Sequence, residues 1–205
     1  MLDVAIGLRP HTGWAALVVL GGDPPVVVER RRLDLRAPGI PDQLYHVAAG
    51  LTLTDAERLV SQTVAAVNEV AVSALHAAVD EHRAAGRRVV GCAVLGALRE
   101  TPGLAAILGS HPRIHAAEGD LFRGALAGAA RAAGIELLEI ADRTVAADLA
   151  RALRLSAPAI EARVAELGRA AGPPWRVDQK LAAMAALLVL ARSGEHRRAP
   201  VKSRR

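Results

Sequence analysis

Three apolar runs separated by short turns fill the first 35 residues of this 205-residue chain. Residues 2–8, 14–20 and 26–35 each have the length and branched-aliphatic content of a strand. Pro10 to Gly13 and Gly21-Gly22-Asp23-Pro24-Pro25 punctuate them as turns. Connections this short cannot carry a parallel crossover, so the three strands form an antiparallel meander. Glu29, Arg30, Arg31 and Arg32 stand consecutively in the third strand, which places it at an edge or turns one face to solvent. Alternation splits the three arginines between faces, so they read as a solvated edge rather than a nucleic-acid footprint.

Residues 36–53 read as irregular, with Pro38, Gly39, Pro41 and Gly50. Helical spacing of apolar residues then runs from Thr54 to about Ala85, opened by a capping box at Thr54-Asp55-Ala56-Glu57 and stopped at Gly86. Arg88 to Leu95 is apolar on both faces, as in a central parallel strand. Residues 103–110 are a loop or short helix. Ser110-His111-Pro112 starts a helix that ends near Ala133, with Pro at the first helical positions. A strand at 135–140, helices at 144–155 and 158–171, and an apolar final helix at 177–192 complete the chain.

The meander followed by alternating helices and strands is an α/β pattern: a mixed sheet, three strands antiparallel and two parallel, with helices on both faces. It is the order of the ribonuclease-H-like fold, here spanning residues 1–192. Aromatic residues are only 2% of the chain while hydrophobic residues are 52%, so the core is built from Ala, Leu and Val. One cysteine, Cys92, excludes a disulfide scaffold and suits a reducing compartment. Asp3 interrupts the first apolar run with no basic stretch before it, so no secretion signal is read. The run from Leu181 to Ala191 is about half of a membrane span. The chain is expected to be cytoplasmic.

The formal net charge of +5 invites a nucleic-acid partner, but its location weakens that reading. Residues 193–205 carry five basic groups against Glu195, leaving 21 basic and 20 acidic groups in residues 1–192. The tail is expected to be disordered and the body nearly neutral.

Three segments resemble the RuvC and YqgF branch of the ribonuclease-H-like proteins. Ile6-Gly7-Leu8-Arg9-Pro10-His11-Thr12-Gly13-Trp14-Ala15 is similar to the first-strand motif, Gly-hydrophobic-Asp-Pro-Gly followed by Thr-Gly-aromatic. Leu138-Glu139-Ile140-Ala141-Asp142-Arg143-Thr144-Val145 resembles the YqgF stretch at the end of a strand. Val177-Asp178-Gln179-Lys180-Leu181-Ala182-Ala183 resembles the last helix, which opens with an Asp. The family uses these positions as an acidic cluster that holds divalent metal for phosphodiester hydrolysis. The resemblance therefore implies Asp142 and Asp178 as catalytic acids and Mg²⁺ or Mn²⁺ ligands. It also implies a partner such as branched DNA or structured RNA, and a homodimer. Arg9 stands where the family has its first Asp. A guanidinium cannot ligate Mg²⁺, and Asp3 lies at the opposite end of the strand, about 20 Å away. Either the active site is rebuilt, with His11, His115 or Glu118 completing it, or this is a non-catalytic scaffold that binds nucleic acid or a partner protein through Arg9 and Trp175.

His111, His115 and Glu118 share one helix face at i, i+4 and i+7. With His11 from the first turn they could form a metal or small-ligand site; the competing reading is a surface ion pair. Asp120 is a further acid beside them. Trp175-Arg176, after Gly172-Pro173-Pro174, could stack on a base or cap the core, and Tyr45-His46 could line a pocket or anchor a loop. Asp142 and Asp178 could also be plain helix caps. Cys92 reads as an inert core residue. Gly7 and Gly13 are not a phosphate loop, since no Gly-Lys-Ser/Thr follows.

Overall fold

The computed structural model describes residues 1–41, 43–96 and 102–198. Five strands, β1 (Leu2–His11), β2 (Trp14–Gly21), β3 (Val26–Asp34), β4 (Arg87–Leu95) and β5 (Leu137–Ile140), form one sheet in the order β3-β2-β1-β4-β5. β1 pairs antiparallel with β2 and β2 with β3, while β4 runs parallel to β1 and β5 parallel to β4. The expected mixed sheet is therefore present, with β3 at an edge. β1 continues three residues past its expected end, through Arg9, Pro10 and His11, and closes on a two-residue turn at Thr12-Gly13, where Gly13 takes φ +76°. Pro10 is tolerated because the β4 pairing ends at Leu8, which leaves β1 with an open side there.

Alternation along β1 divides the core. Val4, Ile6 and Leu8 join Leu17, Val19, Cys92 and Val94 on one face, under α2 (Leu53–Ala84) and α4 (His111–Ala132). The other face carries Ala5, Val18, Leu20, Ala93 and Leu95 under α5 (Val145–Leu153), α6 (Ala157–Ala171) and α7 (Val177–Arg198). Two short helices, α1 (Leu44–Ala48) and α3 (Leu104–Leu108), lie beside α4. α1 falls in the segment read as irregular. Its buried Leu44, Tyr45 and Ala48 gain their helical turn from packing, because five residues are too few to hold one alone.

The second helix begins at Leu53 rather than Thr54, and its cap is Thr52, whose hydroxyl accepts from the Asp55 N–H at 3.3 Å and donates to the Asp55 carboxylate at 2.7 Å. α7 continues to Arg198, six residues past the expected domain end at 192; residues 199–205 of the expected tail lie outside the described residues. No described helix is long and apolar enough to cross a membrane.

α7 lies against the sheet at unusually short range. A Cβ on Gly7 would overlap the Ala182 carbonyl oxygen, come 2.8 Å from its carbon and 3.0 Å from the Ala186 nitrogen. Gly91 on β4 makes the matching gap, with Val189 2.7 Å from where its Cβ would stand. Ala182, Ala183, Ala185 and Ala186 are fully buried. Small residues on both surfaces let backbone approach backbone, as an aromatic-poor core requires.

At the opposite end of the sheet, Asp3 receives both Arg88 Nε and Nη2, at 2.7 and 2.9 Å. On the α2 side of β3, buried His82 lies 3.0 Å from Glu29 through Nε2, while Arg87 donates to its Nδ1 at 3.1 Å. Arg31 bridges Glu29 and Glu81 at 2.8 and 2.9 Å. An arginine only donates, so His82 Nδ1 is unprotonated and the ring is neutral. Burial holds the His82 pKa below its ordinary value, helped by Arg87 and Arg31 and opposed by Glu29 and Glu81.

Three outcomes follow for stability. Gly7→Ala should cost about 2–3 kcal/mol, because the obstruction is backbone and α7 must move off the sheet. By contrast Gly128→Ala, at an exposed site within α4 where an added Cβ meets nothing within 4 Å, should stabilise by about 0.5–1 kcal/mol. Chemical denaturation of the two variants checks both signs. Because folded His82 binds its proton less readily than unfolded His82, its contribution is complete above about pH 6.5 and is lost as pH falls below it. The wild-type melting temperature should therefore fall more steeply than that of His82→Gln between about pH 7 and pH 5, read by thermal melts at matched ionic strength.

Candidate functional site

Gly7, Arg9 and His11 alternate onto the same face of β1, the face that α7 covers. From the Gly7–Ala182 contact, two residues toward the end of β1 advance about 6.6 Å. Four residues back along α7 advance about 6 Å in the same direction, and that position is Asp178. β5 runs parallel and ends at Ile140, so the turn after it delivers Asp142 to the same edge. The two acids named from sequence thus converge on one residue, Arg9.

Arg9 Nε donates to Asp142 Oδ2 at 3.1 Å, and Arg9 Nη1 donates to Asp178 Oδ1. His11 Nε2 lies 3.0 Å from the same Asp178 oxygen and 3.1 Å from Arg9 Nη1. Asp142 does not cap the following helix: the N-cap of α5 is Thr144, with no side-chain capping bond. The His11 ring stacks on Trp14, centroids 4.3 Å apart and planes 11° from parallel, and the Arg32 guanidinium lies 4.5 Å from the Trp14 ring centroid. β1, β2, β3, the β5–α5 turn and the start of α7 therefore contribute one continuous arrangement. Burial, with the Arg9 and Arg32 charges, lowers the His11 pKa against the opposing pull of Asp142.

The carboxylate pair does not fit a divalent ion as it stands. Each acid already shares oxygens with Arg9, and the guanidinium sits between them, where a cation would have to bind. The rim is different in character. Arg32, Arg36, Arg143, Arg176 and Lys180 are all exposed and all neighbour the cluster in sequence or along its strands.

The other candidates fall elsewhere. Trp175 is used in packing: its indole fills the gap above Gly168, where a Cβ would meet Cγ at 2.6 Å, and its N–H donates to the Val164 carbonyl at 3.1 Å. Arg176 is exposed, its backbone N–H donating to Gln179. Arg30 fixes the turn before them by donating to the carbonyls of Gly172, Pro173 and Pro174 at 2.6–3.0 Å. Cys92 is fully buried and burial pushes its thiol up to about 12, so it stays protonated.

His111 and His115 do lie together, but His11 is in the Arg9 cluster, and their partner is His46 of α1. Glu118 is not a surface ion pair with His115. It is buried and turns to α1, accepting from the backbone N–H of Tyr45 at 2.7 Å and of His46 at 3.4 Å. Asp120 pairs with Arg123 instead. The signal for His46 is its place beside Tyr45 in a segment that could line a pocket or anchor a loop, and only the long-range packing of α1 on α4 identifies its partners.

No family model matches the chain, and no curated protein sequence matches it. Solved structures do. A Thermus thermophilus RuvC structure is 14% identical over 93% of this chain and 96% of its own, with a TM-score of 0.51. The structure of T. thermophilus RuvC in complex with a Holliday junction substrate is 16% identical over 94% of this chain and 96% of its own, with a TM-score of 0.52. The chain has the fold of the RuvC nucleases along almost its whole length, with Arg9 between the two acids at the strand ends.

Proposed function

We propose that this protein binds nucleic acid as a RuvC-like module and engages the phosphodiester backbone at the Arg9 edge without metal-dependent cleavage there. The observation that carries this reading is the Arg9 guanidinium bridging Asp142 and Asp178. Two carboxylates alone repel a phosphate and need an added cation to admit one. Arg9 supplies a fixed positive charge in that place. The exposed Arg32, Arg36, Arg143, Arg176 and Lys180 then present a basic rim to a backbone. The Trp14 ring, with His11 stacked on it and Arg32 over it, holds two of the site's polar groups in place beside the backbone path. Branched DNA is the first partner to test, since one of the similar structures holds a Holliday junction.

The test is binding and cleavage of four-way junction DNA, duplex DNA and structured RNA, with Mg²⁺ or Mn²⁺ present. Wild type should bind and leave the strands intact. Arg9→Ala, which takes the net charge of the three groups from −1 to −2, should weaken binding by about tenfold or more. Arg32→Ala with Arg143→Ala should flatten the log–log salt dependence by roughly 0.9 per lost phosphate contact on duplex. Cleavage by wild type that disappears in Asp142→Asn and Asp178→Asn would overturn this reading in favour of an active nuclease. Binding that is lost on deleting residues 199–205 yet indifferent to Arg9→Ala would overturn it in favour of the basic tail.

Arg9→Asp provides a separate check. It places a third carboxylate beside Asp142 and Asp178 and removes their counter-ion. Its melting temperature should fall in the absence of divalent ions and recover with millimolar Mg²⁺ or Mn²⁺, whereas the wild-type melt should not respond.

A further inference from the structure

We propose that His46, His111 and His115 form a binding site for a borderline transition-metal ion of the Zn²⁺ class, with the buried Glu118 carboxylate orienting His46. One ligand atom from each histidine lies within 4.8 Å of those of the other two. Their rings meet edge to face, with centroid separations of 5.5 Å for His46–His111, 4.9 Å for His46–His115 and 4.5 Å for His111–His115. Tetrahedral Zn–N bonds of about 2.0–2.1 Å require nitrogens about 3.4 Å apart. The rings therefore need to close by about 1.4 Å at most, a torsional adjustment open to His111 and His115 because both are exposed. Imidazole ligands without thiolate or an all-oxygen shell select Zn²⁺, Co²⁺, Ni²⁺ or Cu²⁺ over Mg²⁺.

Glu118 is the second, independent observation. Its side chain is 8% exposed, its Oε1 lies 3.5 Å from His46 Nδ1, and its Oε2 is buried with no hydrogen-bond partner among the described residues. His46 Nδ1 is likewise buried without one. An ion on Nε2 fixes the proton on Nδ1, where it faces the carboxylate. A carboxylate behind a ligating imidazole in this way sets its tautomer and ring orientation. Glu118 also holds the α1 backbone through the Tyr45 and His46 N–H groups, so the residue that aims His46 also places the helix that carries it. His111 and His115 come from the first turns of α4 at i and i+4, one face of one helix. The ion would join α1 to α4 and keep a coordination position open on the solvent side.

This site is separate from the Arg9 cluster, and its test does not depend on nucleic-acid binding. The full chain, stripped with a chelator, is titrated with Zn²⁺ by calorimetry and with Co²⁺ by visible absorption. One equivalent should bind, with the intense visible band of a tetrahedral Co²⁺ centre. His111→Ala with His115→Ala, both surface changes, should abolish that band and weaken Zn²⁺ binding at least about 100-fold, while far-ultraviolet circular dichroism confirms the fold. His46→Ala should also lose the band, and Glu118→Gln should weaken Zn²⁺ binding by about 10–100-fold. Wild-type binding no tighter than that of the double variant would overturn the proposal. So would a one-equivalent site that survives His111→Ala with His115→Ala, since the ion would then be held elsewhere.

Discussion

The approach of α7 to β1 at Gly7 governs the geometry of the rest. With no Cβ at residue 7, the Ala182 carbonyl settles onto the strand backbone, and the helix register relative to the strand is fixed to within a fraction of a turn. That register decides which α7 residue reaches the end of β1. A shift of one residue would rotate Asp178 by about 100° around the helix, away from Arg9. Gly91 and Val189 repeat the arrangement on β4, so α7 is held at two strands and cannot pivot about one. The site's precision is therefore a property of packing some distance from its charged atoms.

Given that register, the identity of residue 9 sets the electrostatics. Two carboxylates brought to one edge by β5 and α7 need a positive charge, and the first strand offers one covalently. A side-chain cation differs from a bound ion in two ways. Its charge cannot be exchanged or removed, and it has no vacant coordination position for water. Here the ends of β1 and β5 and the start of α7 assemble a closed Asp–Arg–Asp bridge with His11 at its side. Residue 9 decides what the two acids can hold, and likeness in fold alone does not settle activity.

The succession of strands and helices was legible in the sequence because alternation and 3.6-residue spacing are local properties, whereas the order of the strands within the sheet comes from the structure. Arg9, Asp142 and Asp178 were legible as a group only through resemblance: nothing within their own segments brings residues 9, 142 and 178 together. Asp142 alone reads equally well as a cap, and only its place two residues before the Thr144 N-cap, with its carboxylate on Arg9, removes that reading. The extension of β1 through Pro10 was hidden because proline ordinarily ends a strand, and the open side that permits it depends on where β4 stops. α1 was missed for a related reason. Its five residues sit between prolines and glycine and form a helix through packing, with Glu118 accepting from the N–H groups of Tyr45 and His46. The sequence alone therefore offers His46 as a pocket or loop-anchoring residue without partners, and His11 as a candidate for the histidine group.

Composition acquires a structural meaning once α7 is in view. A helix apolar on all sides must be covered on all sides, and α7 is sandwiched between the sheet and α5, with α6 beside it. Burying a helix between two layers with large side chains would push the layers apart and carry Asp178 away from the strand end. Alanine at 182, 183, 185 and 186 keeps the layers close, at the expense of apolar area per residue. Larger side chains are fully buried on both faces, Ile6, Leu8, Leu17, Leu75 and Leu126 on one and Leu20, Leu95, Leu149 and Ile160 on the other. The small residues gather where α7 meets the sheet, and that contact trades area for the placement of two carboxylates. A low-aromatic, alanine-rich sequence is what so close an approach of α7 to the sheet demands.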